Sequence, residues 1–294
     1  TFTNKAAGEM RERLVDLVGP AAKAMWIMTF HAMCVRILRR DGEKLGYTRD
    51  FTIYDGDDTK RLLTRVLQDL NRDPKRFPPS MVASRISDAK NELISPDEFA
   101  MRAKGFLDEI VADAYRAYER RLFDSNALDF DDLLMKTQKL FDGHPEVLAA
   151  YQERFKYVLV DEYQDTNHVQ YRLVHALTDK WRNLMVVGDD DQSIYSWRGA
   201  TIRNILEFEE DHPDATVVKL EQNYRSTETI LAAANAVVAN NRGRKPKALW
   251  TANAGGESIT RYAAADERDE VRFVADEIER LLRVEGHSYS DFAI

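Results

Sequence analysis

The feature that most constrains this fold is a set of short apolar runs that end abruptly in acidic or amide residues. Tyr157–Val160 runs into Asp161-Glu162, Leu184–Val187 into Gly188-Asp189, Thr216–Leu220 into Glu221-Gln222-Asn223, and Met25–Met28 into Thr29-Phe30-His31. Runs of this length that are apolar at consecutive positions suit strands buried on both faces, and such strands belong in a parallel sheet covered by helices. The expected class is therefore α/β. In open α/β sheets ligands bind beyond the carboxyl ends of the strands, which is where these polar residues would stand.

Helical periodicity fills the intervals. Ala7, Met10, Leu14, Leu17 and Val18 share one helical face, and Gly19-Pro20 stops it. A later helix is expected from Ser226 as N-cap, with Glu228 in its first turn and Ile230, Leu231, Ala234, Val237 and Val238 before Asn240-Asn241. Residues 56–126 are different. They carry Leu62, Leu63, Val66, Leu67 and Leu70 at helical spacing, many charges and almost no strand signal. This pattern predicts a helical subdomain inserted into the first α/β unit. After about residue 220 a second α/β unit begins, with strand candidates at Ile259–Tyr262 and Phe292–Ile294. The chain opens on Thr1-Phe2-Thr3 and stops at Asp291-Phe292-Ala293-Ile294, which reads as an internal piece of a longer polypeptide.

Charge limits the functional classes. The 42 Lys and Arg against 50 Asp and Glu give a net charge of -8, which argues against a basic body that coats nucleic acid. A local basic groove is still compatible, because the first 40 residues hold Lys5, Arg11, Arg13, Lys23, Arg36, Arg39 and Arg40 against Glu9, Glu12 and Asp16. Such runs also suit solvated helix faces. The lone Cys34 cannot pair within the chain, which fits a reducing, cytoplasmic setting, and on an apolar helix it reads as a small core residue. No stretch approaches 18 apolar residues, so no membrane association is expected. The six histidines lack zinc spacing.

Three strand-end segments carry chemistry. In Tyr157-Val158-Leu159-Val160-Asp161-Glu162-Tyr163-Gln164-Asp165-Thr166-Asn167, strand alternation would turn two adjacent carboxylates in opposite directions. One could hold hydrated Mg²⁺ and the other orient a water, or both could be a solvated acidic strand end. In Gly188-Asp189-Asp190-Asp191-Gln192-Ser193-Ile194-Tyr195-Ser196-Trp197-Arg198-Gly199-Ala200, the Gln192 amide suits a phosphate oxygen or an attacking water. Tyr195, Trp197 and Arg198 mix flat rings with a cation, the combination that stacks unpaired bases, although two rings at a strand end also suit core anchors. Lys219-Leu220-Glu221-Gln222-Asn223-Tyr224-Arg225-Ser226-Thr227 places Arg225 at a helix N-terminus, as a phosphate ligand or a surface arginine, and Tyr224 where it could stack on a purine. At the start of the chain, Thr1-Phe2-Thr3-Asn4-Lys5-Ala6-Ala7 and Thr29-Phe30-His31-Ala32 both read as strand ends running into helices, and Phe2 and His31 could meet single-stranded nucleic acid.

Taken together, these segments resemble the motif series of superfamily 1 DNA helicases of the UvrD, PcrA and Rep type. The most specific pieces are DEYQDTN (161–167), GDDDQSIYSWRGA (188–200), LEQNYRST (220–227), TFTNKAA (1–7) and TFHAMCVRILRR (29–40), with NALDFDDLL (126–134) and AKNELI (89–94) beside them. The resemblance implies a RecA-like P-loop NTPase fold in three parts. Residues 1–45 and 127–216 would form the first motor domain, 46–126 an inserted helical accessory domain that contacts duplex, and 217–294 the beginning of the second motor domain. It implies ATP and Mg²⁺ as cofactors, and single-stranded DNA with its junctions to duplex as partner. The activity implied is a cytoplasmic, nucleoid-associated motor stepping 3′ to 5′, with repair or replication proteins as possible partners.

By the same resemblance Asp161 would hold Mg²⁺, Glu162 would activate water, Gln192 would sense the γ-phosphate, and Arg225 would stabilise the transferring phosphoryl group. Tyr224 would stack on adenine, while Phe2, Asn4, His31, Tyr195, Trp197 and Arg198 would line the DNA track. Gln192 and Trp197, five residues apart on one turn, would couple phosphate occupancy to a base-stacking ring. The family's phosphate loop ending in Gly-Lys-Thr has no counterpart, since the sequence contains no Gly-Lys pair. The expectation is an active ATPase in the parent protein and little turnover by these residues alone. Two other readings are a motor of the helicase-nuclease type and a non-catalytic nucleic-acid-binding subunit.

Overall fold

The computed structural model describes residues 1–241, 245 and 247–294, and of Arg198 the backbone only. The chain divides into two compact units, Thr1–Thr216 and Val217–Ile294.

The first unit starts with α1 (Asn4–Val18), capped by the Thr3 hydroxyl and ended at Gly19, whose φ of 63° is the left-handed turn the Gly-Pro pair predicts. Thr29 caps α2 (Phe30–Asp41) in the same way. Between these helices Met25–Met28 forms no strand. A strand exists only where a ladder partner takes its backbone groups, and here the Ile27 carbonyl accepts from the Arg11 guanidinium at 2.7 Å instead.

β1 (Thr52–Tyr54) precedes four helices: α3 (Gly56–Asp69), α4 (Pro79–Asn91), α5 (Pro96–Arg102) and α6 (Phe106–Asp124). β2 (Ala127–Asp129) comes after them and pairs in parallel with β1, Thr52 opposite Ala127 and Tyr54 opposite Asp129. A two-stranded ladder thus closes the chain at the point where it enters and leaves the helical stretch. Thr52–Tyr54 lies inside the segment expected to be wholly helical and is a strand, because Ala127–Asp129 supplies its partner.

Two apolar cores result. Leu63, Val66 and Leu67 of α3 pack with Val82, Ile86, Ile110, Tyr115 and Tyr118. Phe30, Cys34, Ile37 and Leu38 of α2 pack with Leu133, Leu134 and Phe141 of α7 (Phe130–Gly143), Tyr151 of α8 (Pro145–Arg154), Val160 of β3 (Val158–Val160), and Leu173 and Val174 of α9 (His168–Thr178). Each fully buried aliphatic side chain contributes about 1.5–3 kcal/mol. Cys34 is completely buried, and burial pushes its thiol pKa up to about 12, as befits a core residue rather than a nucleophile.

The two cores meet over a buried charge cluster. Asp129 caps α7 in a reciprocal box with Asp132, which occupies one oxygen of each carboxylate. The remaining oxygens surround the ammonium of Lys90, from α4, at 2.8 and 2.9 Å, and Glu119 of α6 adds a third at 2.6 Å. Lys136 pairs with Glu119 at 2.5 Å, and the Tyr118 hydroxyl donates to Asp129 at 2.9 Å. Burial pulls the Lys90 pKa down, but the three carboxylates outweigh it and hold the group well above its ordinary value.

β4 (Leu184–Val186) pairs in parallel with β3, Val158 opposite Leu184 and Val160 opposite Val186. This pair was expected to be covered on both faces. Among the described residues helices cover one face only: Val160 points into the core, while Leu159 is 68% and Met185 55% exposed. Two short helices, α10 (Arg203–Leu206) and α11 (Phe208–Asp211), complete the unit.

The second unit is sparser. Thr216–Leu220 makes no ladder; the strand lies two residues further on, where β5 (Gln222–Asn223) pairs in parallel with β6 (Trp250–Thr251). α12 (Glu228–Val238) starts one residue later than expected, with Thr227 rather than Ser226 as its cap residue. Ile259–Tyr262 is not a strand either: Tyr262 stacks flat on Phe273 of α13 (Glu267–Val284), with ring centroids 4.0 Å apart, and hydrogen-bonds Asp269. At Phe292–Ile294 there is a 3₁₀ turn over Tyr289–Asp291 and no ladder. The described α/β parts are therefore three two-stranded parallel pairs rather than one wide sheet. No helix among the described residues is long and apolar enough to cross a membrane.

The charge cluster sets a test. Lys90→Met removes the cation and leaves three carboxylates facing one another, so it should destabilise the fold by about 3–5 kcal/mol, read from urea unfolding. Because the Lys90 pKa is raised on folding, the stabilisation it supplies is complete below about pH 10 and declines only as pH rises towards the folded value.

Candidate functional site

The polar strand ends of β3 and β4 lie side by side because the two strands are parallel and in register. Hydrogen bonding continues past them: Val187 N–H donates to the Val160 carbonyl at 2.8 Å, and Tyr163 N–H to the Val187 carbonyl at 2.9 Å. Asp161 comes directly after β3 and is half-buried, and no hydrogen bond or ion pair engages its carboxylate among the described residues. Glu162 was expected to diverge from Asp161 by strand alternation. The strand has ended at Val160, however, so alternation does not apply, and Glu162 takes a left-handed backbone, φ 54°.

One side chain ties the two loops into a unit. Gln164 is 1% exposed; its amide nitrogen donates to the Glu162 carboxylate at 2.7 Å, and its amide oxygen accepts from the Asp189 backbone N–H at 3.0 Å. The Gln164 carbonyl also accepts from the Ser193 hydroxyl at 3.3 Å. Asp189 in turn receives the Gln192 side-chain amide at 2.8 Å. Asp161, Glu162 and Gln192 are thereby brought to one sheet edge, joined through a glutamine that sequence reasoning did not single out. A buried amide between two acids, in a stretch otherwise read for its carboxylates, was the available signal.

The aromatic residues lie on the continuation of the second loop. Gln192 and Trp197 occupy two successive 3₁₀ turns, Asp190–Gln192 and Ser196–Arg198, rather than one. Trp197 is 71% exposed, so it is not a core anchor, and its ring stands 6.2 Å from that of half-buried Tyr195. Burial, with the nearby Glu162 carboxylate, raises the Asp165 pKa and outweighs the opposing effect of the Ile194 and Tyr195 backbone N–H groups. The Arg198 side chain lies outside the described residues.

The remaining candidates fall into separate groups. Half-buried Phe2 packs on Phe30 and the larger core, and Asn4 is exposed in the first turn of α1. His31 stands edge-on to Phe130, with centroids 5.7 Å apart, and burial lowers its pKa, so the ring is neutral at pH 7. Phe130, 53% exposed at the start of α7, is the ring beside His31, and sequence reasoning did not single it out within the NALDFDDLL segment. Tyr224 and Arg225 belong to the second unit. Both are exposed; Asn223 accepts from the Arg225 and Ser226 N–H groups at 3.0 and 2.8 Å and so shapes the turn that presents them. The Tyr224 hydroxyl donates to Gln222 at 2.8 Å.

As for a cation, the Asp161 carboxylate is an available oxygen donor at the strand end, of the kind hydrated Mg²⁺ takes. Asp189, Asp190 and Asp191 form a second oxygen-rich group, with ligand atoms within 4.8 Å of one another.

Carboxylates and an amide thus stand at the ends of two parallel strands, followed by half-buried Tyr195 and exposed Trp197. The chain belongs to the UvrD/REP helicase family. It matches the UvrD/REP helicase N-terminal domain over residues 1–213 and the UvrD-like helicase C-terminal domain over residues 218–294. It is 53% identical over 294 residues to the ATP-dependent DNA helicase PcrA of Bacillus subtilis (strain 168), and 54% identical over the same length to the proteins of that name from Staphylococcus epidermidis and Staphylococcus aureus. All of this chain is covered in each case and 40% of the relative, so the chain spans about two-fifths of the length of these proteins.

Gly188 tests the junction. A Cβ there would stand 2.6 Å from the Gln164 amide oxygen and 2.7 Å from Ile205 Cδ1, so Gly188→Ala must displace both or shift the backbone between them. The expected outcome is a loss of about 1–3 kcal/mol, seen as a lowered Tm, together with faster hydrogen exchange at the Asp189 amide.

Proposed function

We propose that the protein carrying this chain is an ATP-driven DNA motor that moves along single strands, 3′ to 5′, and opens duplex at junctions, in repair or replication. The observation that carries this reading is the Gln164 bridge, which makes the Asp161-Glu162 pair and the loop bearing Gln192, Tyr195 and Trp197 one hydrogen-bonded element. A change at the phosphate-facing end is thereby given a mechanical route to a base-stacking ring. The names of the relatives support the same activity.

The fold proposed is RecA-like, with residues 1–45 and 127–216 as the first motor domain and 217–294 as the beginning of the second. Residues 46–126 would be the helical accessory domain contacting duplex, a reading supported by the β1–β2 ladder at their borders and by their separate core. The sequence holds no Gly-Lys phosphate cradle, so turnover is proposed for the whole protein and not for these residues alone.

In this reading Asp161 is the residue that would hold Mg²⁺, which neutralises phosphate charge when bound. Glu162 takes the proton of the attacking water, and its hydrogen bond from Gln164 fixes the carboxylate for that task. Gln192 senses the terminal phosphate. Arg225, on the second unit, stabilises the transferring phosphoryl group, and Tyr224 stacks on adenine. Trp197, Tyr195, Arg198, His31, Phe130, Phe2 and Asn4 form the DNA-facing set, with the rings stacking bases and neutral His31 acting as a flat partner rather than a phosphate cation.

The test is single-stranded-DNA-stimulated ATP hydrolysis by the intact protein. Glu162→Gln should lower turnover by about 10²–10⁴-fold while leaving DNA affinity near that of the parent. Trp197→Ala should weaken DNA binding by about 1–3 kcal/mol, or roughly 5- to 150-fold in Kd. Equal turnover by Glu162→Gln and the parent overturns the proposal.

A further inference from the structure

Asn91, the last residue of α4, belongs to no part of the site at the strand ends, yet its side-chain amide is fully engaged. The Asn91 nitrogen donates to the Ser87 carbonyl at 2.9 Å and to the Asp131 carboxylate at 3.3 Å, and its oxygen accepts from the Asn167 side-chain nitrogen at 2.6 Å. Asn167 ends the Asp161–Asn167 segment and caps α9 through a reciprocal box with Gln170, so it has no freedom to track a moving partner. It also bridges Ala200, at the end of the second loop, and Thr201 N–H donates to the Thr166 carbonyl at 3.0 Å. Gly199, which closes the turn carrying Trp197, lies against the same two asparagines: a Cβ there would sit 3.7 Å from Asn91 Cβ and 4.0 Å from Asn167 Cβ.

The preceding residue fixes the other end of this arrangement. Lys90 is held by Asp129, Asp132 and Glu119, so the end of α4 is clamped to α6 and α7. Two consecutive side chains therefore join different things: Lys90 grips the helices, and Asn91 grips the loops at the sheet edge. A shift of the Ser196–Ala200 turn that keeps its bridge to Asn167 either carries α4 with it or breaks the bond between Asn91 and Asn167.

We propose that Asn91 is a positioning residue that transmits the state of the Asp161–Asn167 and Gly188–Ala200 loops to the helical segment α3–α6, coupling ATP turnover to movement of that segment against DNA. The proposal deepens the motor reading and rests on it for the words ATP and DNA; the latch itself is a structural statement.

The experiment separates the two on the intact protein. Hydrogen–deuterium exchange, without any ligand, reads the latch: Asn91→Ala should raise exchange in residues 196–201 and 167–170, and Asn91→Asp, which keeps an acceptor for Asn167, should raise it less. Unchanged exchange in both variants overturns the latch whatever the protein catalyses. Base pairs opened per ATP hydrolysed read its role. Asn91→Ala should keep DNA-stimulated hydrolysis within about twofold of the parent and lower base pairs per ATP by about 2- to 30-fold, the effect of a modest coupling energy. An unchanged ratio overturns the role of Asn91 in coupling. A parent protein that hydrolyses no ATP with DNA overturns the motor reading and with it that role, and leaves the exchange result to decide the latch.

Discussion

The ammonium of Lys90 is the interaction on which the first unit depends. Two carboxylates already committed to capping α7 turn their free oxygens inward, and a third arrives from α6; without a cation at their centre three negative charges would share a dry interior. Helices α4, α6 and α7 are held together at one atom, at the boundary between two apolar cores that do not merge. Apolar packing supplies most of the folding free energy, but it has little directionality. The charge cluster fixes the angle at which the helical stretch meets the rest of the unit.

That angle matters because the next residue after Lys90 reaches the loops. Asn91 meets Asn167, Asn167 ends the segment that begins with Asp161-Glu162, and Gln164 within that segment bridges to Asp189 and so to Gln192. The path from the buried lysine to the sheet edge runs partly through side-chain hydrogen bonds and partly along the backbone between residues 90 and 91 and between 164 and 167. Its joints are the side-chain amides of Asn91, Asn167, Gln164 and Gln192, and a side-chain amide donates and accepts at once, so it can join two segments without the desolvation cost of an ion. The rings of half-buried Tyr195 and exposed Trp197 stand beside the turn this path supports.

Several features were readable from the chain alone. The β3 and β4 runs, the Gly-Pro stop of the first helix and the helical stretch after residue 56 obey local rules of periodicity and capping. Other expectations failed for one shared reason. Met25–Met28, Thr216–Leu220, Ile259–Tyr262 and Phe292–Ile294 have strand-like composition, but a strand needs a ladder partner, and composition does not reveal whether one is present. Thr52–Tyr54 is the converse case, a strand created by its partner within residues 46–126, which the resemblance assigned to a helical domain. Exposure was equally hidden: Trp197 and Phe130 are large rings that single-residue reasoning assigns to either core or surface, and only the packing around them decides.

The sequence by itself determined the class of the chain and the chemistry on offer, since the motif residues, their order and the missing phosphate cradle are properties of the string of letters. The tertiary structure decided which of those residues act together. It brought Glu162 to Gln192 through Gln164, and it gave Lys90 and Asn91, which the sequence marked only as part of AKNELI, separate partners in the helices and the loops. Hydrogen bonds from a side chain to groups 25 and 76 positions away depend on how separate elements pack, and no periodicity along the chain encodes that.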